Sequence, residues 1–379
     1  MDRRRAWLFG SSTLFVAFAI WASCAVYDPS LLTPADAAAD APGDGGAETS
    51  SCAHATVPDR PTKDDPAVAD GGELTFVVNQ FAFEPRLDAG ALRGYDLDRS
   101  CTCPDTPSCK SPKSQCDDEA GRDNVGGIQL DTFAKLDESF SPVKLNTRLQ
   151  MGLYGLLFRV IGWNGSPNDT SVQFAVYVSK GTPTLDGGAR VTPKFDGTDV
   201  FTVAKASLLG GVAPPYIPLP DSVDTNAYVS NGTVVASASN VRLELSTNDA
   251  ALNYLEMNLT GVQITAKIAM VGGKVQLTDG IIAGRWPTRR FLTALAPQSD
   301  PIVTGGFLCG DSSTYASVKG FVCNNVDITS AVQNDNTNAT CDALSVALGW
   351  TAVPVIFGPV SAGVTLNQPC GAQWTDDCN

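Results

Sequence analysis

Histidine is nearly absent from this chain: His54 is the only one in 379 residues. One imidazole, in a stretch that reads as a linker, leaves no partner for a histidine-assisted serine or cysteine nucleophile and none for a multi-histidine metal site. Positive charge is also scarce. With 26 basic against 40 acidic side chains, the formal net charge is −14, which argues against nucleic acid, since phosphate must be neutralised by Lys and Arg. Glutamate is rarer still, at 7 residues against 33 aspartates. Aspartate belongs to turns, caps and oxygen-rich cation sites, and glutamate to helices, so the ratio predicts a loop-rich, helix-poor protein. With 35 Gly and 24 Pro an all-helical fold is disfavoured. No fixed-period repeat is visible, which disfavours solenoids and propellers. The hydrophobic content of 43% nevertheless supplies a sizeable core.

What is present begins with an address. Arg3, Arg4 and Arg5 precede an apolar stretch from Ala6 to Trp21, and Ala22-Ser23 run into Cys24. This is the layout of a secretory signal peptide over 1–23, and the apolar run is short for a transmembrane helix. Small residues leading into a cysteine resemble the lipobox of bacterial lipoproteins, although Trp21 replaces the usual aliphatic residue. The resemblance implies that Cys24 becomes the lipidated N-terminus. Ala25 then favours the outer membrane or cell surface, with the membrane as a partner through the N-terminal lipid. Residues 24–72, rich in Ala, Asp, Pro and Gly, read as a disordered tether.

Removing Cys24 leaves ten cysteines: Cys52, Cys101, Cys103, Cys109, Cys116, Cys309, Cys323, Cys341, Cys370 and Cys378. An even number in an exported chain predicts five disulfides. Five lie before residue 120 and five after residue 300, so full pairing requires a bridge between the groups. Cys52 is the expected crossing residue.

Residues 73–379 read as one mainly β domain. Leu74 to Phe83 and Leu153 to Trp163 read as strands. Val172, Phe174, Val176 and Val178 alternate with Gln173, Ala175, Tyr177 and Ser179, and Leu259 to Met270 alternates most cleanly. Short helical signals appear at Thr288–Ala296, Asp311–Val322 and Asp342–Gly349. The expected fold is a two-sheet β-sandwich, jelly-roll or concanavalin-like, with short disulfide-pinned helices in a segment spanning 288–349.

Three constellations are candidates for chemistry. The cysteine-rich, acidic insert 96–124 holds Asp96, Asp98, Asp117, Asp118, Asp123 and Asn124. Asp96 and Asp98 point the same way in an extended segment. Calcium takes six to eight oxygen ligands held by loops, so these residues are candidate ligands, and calcium is the one candidate cofactor. A solvated acidic loop is the competing reading. Zinc is disfavoured, because the spacing C-x-C-x5-C-x6-C lacks paired CxxC knuckles. Trp163, Asn164 and Asp169 in WNGSPND resemble the aromatic-and-polar loops of sugar-binding modules, against a reading as a tight turn. Asp196 and Asp199 in FDGTDVF are candidate ligand-binding carboxylates, against an ordinary hairpin turn.

The segments CAVYDPSLL, GYDLDRSCTC, CDDEAGRDN and LFRVIGWNGSPND resemble secreted lipoproteins of myxobacteria. That resemblance implies a lineage and no activity. The concanavalin-like lectins are a looser analogy of fold. The expected function is a non-enzymatic, surface-anchored binding or structural module of the cell envelope, taking a glycan or another envelope component with calcium. The alternative is a secreted glycan hydrolase using Glu244 and Glu256, the only glutamates on or near central strands.

Overall fold

The computed structural model describes residues 52–379, apart from 69–70, 88–89, 104–106, 114, 186–189, 212–219, 249–253, 311, 362–368, 372–373 and 379. The expected signal peptide, Cys24 and the first part of the tether lie outside the described residues.

Eight strands form one antiparallel sheet: β1 (Glu73–Ala82), β2 (Gly155–Ile161), β3 (Asp169–Ser179), β5 (Ser222–Ser230), β6 (Thr233–Ser246), β7 (Tyr254–Val271), β8 (Lys274–Pro287) and β9 (Ala343–Pro354). Each pairs with the next in this order, and β9 returns to β1, so the sheet closes into a barrel. A second sheet of two parallel strands, β4 (Val200–Ala204) and β10 (Ile356–Ser361), accompanies it. The mainly β, antiparallel class with a smaller second sheet is therefore as the alternation predicts. Its strand order is finer than the pattern could specify: the barrel strands follow one another as neighbours, without the crossovers of a jelly roll.

The strands' sequences explain the layers. Phe76, Phe158, Phe174 and Trp350 meet in the main core, with ring centroids of Phe158 and Trp350 4.4 Å apart. Burying each such ring contributes about 1.5–3 kcal/mol. Gly280 makes room for Trp350, whose ring atoms lie 2.3 Å from where a Cβ would stand. On the other face of β1–β3, Val77, Leu157, Ala175 and Tyr177 join Phe201 and Val203 of β4 in a second apolar cluster. These strands are thus buried on both sides, which is why β2 reads as an apolar run interrupted only by Arg159. Tight hairpins need positive φ at Asn231-Gly232 and at Gly272-Gly273, as two-residue turns do.

Four helices share the main core: α1 (Val125–Leu136), α2 (Pro142–Gln150), α3 (Thr288–Leu295) and α4 (Ser313–Cys323). The last two match the expected helices near the C-terminus. Asp342–Gly349, expected to be helical, instead begins β9. Its Ala and Leu favour a helix locally, but the segment lies between β8 and β1 with Ala343–Trp350 fully buried, and tertiary burial overrides propensity. No described helix is long and apolar enough to cross a membrane.

The expected tether ends earlier than residue 72. From Cys52 the chain lies on the domain: Ala55 N donates to Ala120 O at 2.7 Å, Arg60 to Thr170 O at 2.6 Å, and Tyr228 Oη to Pro58 O at 2.5 Å. Polar side chains taken as signs of solvation here satisfy backbone groups of the barrel.

All ten cysteines are bridged: Cys52–Cys101, Cys103–Cys116, Cys109–Cys341, Cys309–Cys370 and Cys323–Cys378. One bridge crosses between the groups, meeting the minimum of one that the odd counts set. Cys109 makes it, whereas Cys52 pairs within its own group because the early segment folds back onto the insert.

Candidate functional site

Among its described residues the insert is a loop without helix or strand, pinned at both ends. Cys52–Cys101 and Cys103–Cys116 brace it locally, and Cys109–Cys341 ties it to β9's approach. Arg285 of β8 donates to Leu97 O at 2.7 Å, fixing the backbone between Asp96 and Asp98. Gly121 has φ +66°, and a Cβ there would stand 2.7 Å from Cys101 Sγ and 3.1 Å from Asp96 Oδ2. The loop closes over the bridge only because this residue has no side chain.

The folding brings one oxygen each of Asp96, Asp98 and Asp123 within 4.8 Å of one another. Two oxygens on a single calcium, each at 2.3–2.6 Å, stand at most about 5 Å apart. Asp98 and Asp123 are each only 3% exposed. Asp98 accepts from Ser100 N at 2.9 Å and from Ser108 Oγ; Asp123 accepts from Leu97 N at 2.7 Å. His54 contacts Asp96 through Nδ1.

Electrostatics mark the cluster. Burial, helped by the Asp96 and Asp335 carboxylates, pushes Asp98 up to about 6. Burial and the charges of Asp98, Asp327 and Asp96 push Asp117 up to about 7. Asp123 is held well above the usual range by burial and then by Asp98, Asp117 and Asp327. Burial, followed by Asp98, carries Asp327 to about 7. Among the described residues, none of these four carboxylates has a Lys or Arg ion pair. Like charges crowded out of water demand protons or a cation.

Two expected ligands serve other roles. At Asp118 burial is outweighed by hydrogen bonds from the amides of Arg122, Ala120 and Leu92 and from the Arg122 guanidinium, which hold it below the usual range. Its lone pairs are spoken for. Asn124 is the N-cap of α1: Oδ1 accepts from Gly127 N at 3.1 Å and from Ala347 N at 2.8 Å. The sequence showed Asn beside acidic residues but not the helix that needed capping. Asp327, some 200 residues downstream, was not foreseen, because only the barrel's closure carries it to the insert. Cys52, His54 and Cys101 also converge, but both sulfurs are in a disulfide and are not thiolate ligands.

The expected ligand-binding loops fold as turns. Trp163 Nε1 donates to Ser166 O at 2.9 Å, Asn164 Oδ1 accepts from Ser166 N at 2.9 Å, and Asp169 Oδ2 accepts from Asn164 N at 2.8 Å. Trp163 packs against the main core. Asp196 accepts from Thr198 N at 3.0 Å, and Asp199 from Lys194 N at 2.8 Å. Asp196 borders an open cavity with Lys274 and Glu73; none of the cavities described joins it to Trp163.

Glu244 and Glu256 are direct cross-strand partners. One nitrogen of Arg242 contacts both, at 2.7 and 2.5 Å, and Lys180 contacts Glu244 from the other side. That guanidinium nitrogen occupies the space between the carboxylates that a glycosidic bond would need, and Glu244 is 3% exposed.

No protein family, curated protein or solved structure matches the chain.

Proposed function

We propose that this protein is an exported, lipid-anchored, non-enzymatic binding module of the cell envelope, completed by calcium in its cysteine-rich insert. The observation that carries the calcium reading is the convergence of Asp96, Asp98 and Asp123 on one point, with Asp98 and Asp123 buried and, among the described residues, without a Lys or Arg ion pair. Asp117 is the next carboxylate in reach of the same charge. Hard oxygen donors on a loop suit calcium rather than a soft metal. Exported modules need bind calcium only at about 10⁻⁴–10⁻³ M. Export and anchoring rest on the Arg3–Cys24 pattern, and disulfide bracing is consistent with an oxidising compartment.

The test is a thermal melt of the oxidised chain in EDTA and in millimolar calcium. At about 100 times the dissociation constant, calcium adds about 2.7 kcal/mol, a rise of several degrees. An unchanged melt would sink the calcium reading. Anchoring is tested separately: Cys24→Ala should release the protein from membranes, and a variant that stays bound would overturn the lipid assignment.

A further inference from the structure

Between α1, α3, α4 and β7 lies a cavity of about 250 Å³. Its floor is apolar and buried, formed by Phe133, Phe140, Leu255, Phe291, Leu295 and Leu308. A smaller cavity of about 140 Å³ lies against the same Leu130, Phe140 and Leu255 and extends the apolar lining to Leu145 and Leu245. Protein interiors leave few voids larger than a water molecule, and an apolar one offers water no partners. Leu136 and Ile302 stand at the mouth, 62% and 78% exposed. Large apolar side chains held in water beside an apolar cavity mark the entrance of a site for an apolar ligand.

The polar groups of the wall decide what that ligand carries. Thr314 Oγ1 donates to Asp300 Oδ1 at 3.0 Å and Ser317 Oγ to Ser313 O at 3.0 Å, so both hydroxyls are engaged. Among the described residues the wall has no Lys, Arg or His. Its one ionisable group is Asp137, partly exposed between Leu136 and the short turn Glu138–Phe140. Asp137 Oδ1 caps that turn, accepting from Ser139 N at 2.8 Å. Asp137 has no Lys or Arg ion pair among the described residues. The lysines nearest in the chain, Lys135 and Lys144, face Asp131 at 2.8 Å and Glu138 at 4.0 Å.

An apolar chain ending in an anion would meet this carboxylate as a like charge. A small polar ligand would leave the apolar floor unused. A chain ending in a cation matches both parts of the wall. We infer that this cavity holds the single apolar chain of a cationic amphiphile, with its ammonium group beside Asp137. The site shares no residue with the acidic insert, and the inference stands apart from the calcium reading.

Calorimetric titration of the full chain tests it, with dodecyltrimethylammonium, glyceryl monolaurate, laurate and tetramethylammonium as probes, each below its micelle concentration. Dodecyltrimethylammonium should saturate one site. The neutral monolaurate should bind about threefold more weakly and laurate about tenfold, the weight of a partly exposed charge pair lost or reversed. Tetramethylammonium, the head without the chain, should show no binding. Asp137→Asn keeps the cap, since Asn accepts as Asp does, and should bring the cationic and neutral probes to equal affinity with an unchanged melt. Ser317→Trp, at an exposed position of the wall, should crowd the cavity and weaken both of these probes about tenfold. The absence of a saturable site, a neutral or anionic probe binding as tightly as the cationic one, or affinities unmoved in both variants would overturn the inference. The calcium melt reports on the insert and is independent of all these results.

Discussion

The fully buried guanidinium of Arg285 grips Asp335 with two prongs, at 2.7 Å to Oδ1 and 2.6 Å to Oδ2. Its Nη1 also donates to Thr329 O at 3.0 Å, and its Nη2 to Leu97 O. One side chain thus joins β8, the loop before β9 and the acidic insert. It is committed to Asp335, and so does not neutralise Asp98 or Asp123.

Arg285→Met should therefore be severe. It leaves Asp335 buried without its cation and frees Leu97 between two candidate ligands. Breaking such a pair costs about 3–5 kcal/mol. A urea titration showing a loss below about 1 kcal/mol would refute the role given to this residue.

Asp123→Asn should act in opposite directions with and without calcium. In EDTA it removes a charge crowded by Asp98, Asp117 and Asp327, and the variant should melt no lower than the parent. In millimolar calcium it removes a ligand, and the variant should melt several degrees below the parent. Parallel melts in the two buffers check the crossing, and a variant lower by the same amount in both contradicts a cation site.

The pH dependence follows from the raised carboxylates. Asp98, near 6, and Asp117, near 7, stand above their ordinary 3.8, so the folded state holds protons that the unfolded state has released. In EDTA, stability should fall as pH rises from about 4 through 7. Calcium competes with those protons, so its stabilising effect should grow over pH 5 to 8. Melts showing a calcium effect that shrinks with rising pH would contradict this.

Cys109–Cys341 closes the longest loop, with a separation of 232 residues. Chain entropy puts its contribution at about 5 kcal/mol before strain. The paired Cys109→Ala/Cys341→Ala variant should lose a large part of that and bind calcium more weakly, since the insert loses its tie to the barrel. Chemical denaturation and calcium titration of one sample measure both effects.

Much of the β architecture was legible because alternation is a local consequence of one-sided burial. Val172 to Val178 and Leu259 to Met270 carry it openly. Where burial is two-sided the signal fails: Ala343–Trp350 looks helical because both faces of β9 are apolar. The helices α1 and α2 were missed although Asn124 and Ser141-Pro142 are capping signals. Asn124 was drawn into the acidic reading because a side chain's partner is a matter of three dimensions.

Sequence alone determined the β class, the five-bridge parity with at least one crossing, and the acidic insert with Asp96, Asp98 and Asp123 among its carboxylates. These follow from composition, counting and short-range periodicity, which need no knowledge of distant contacts. Tertiary structure alone decided that the sheet closes, that Cys109 rather than Cys52 crosses, that Asp118 faces Arg122, and that Asp327 and Arg285 reach the insert. It also set Asp137, Phe291 and Leu308 around one cavity. Apart from the local Asp118–Arg122 pair, each of these depends on residues tens to hundreds of positions apart, which only the tertiary fold brings together.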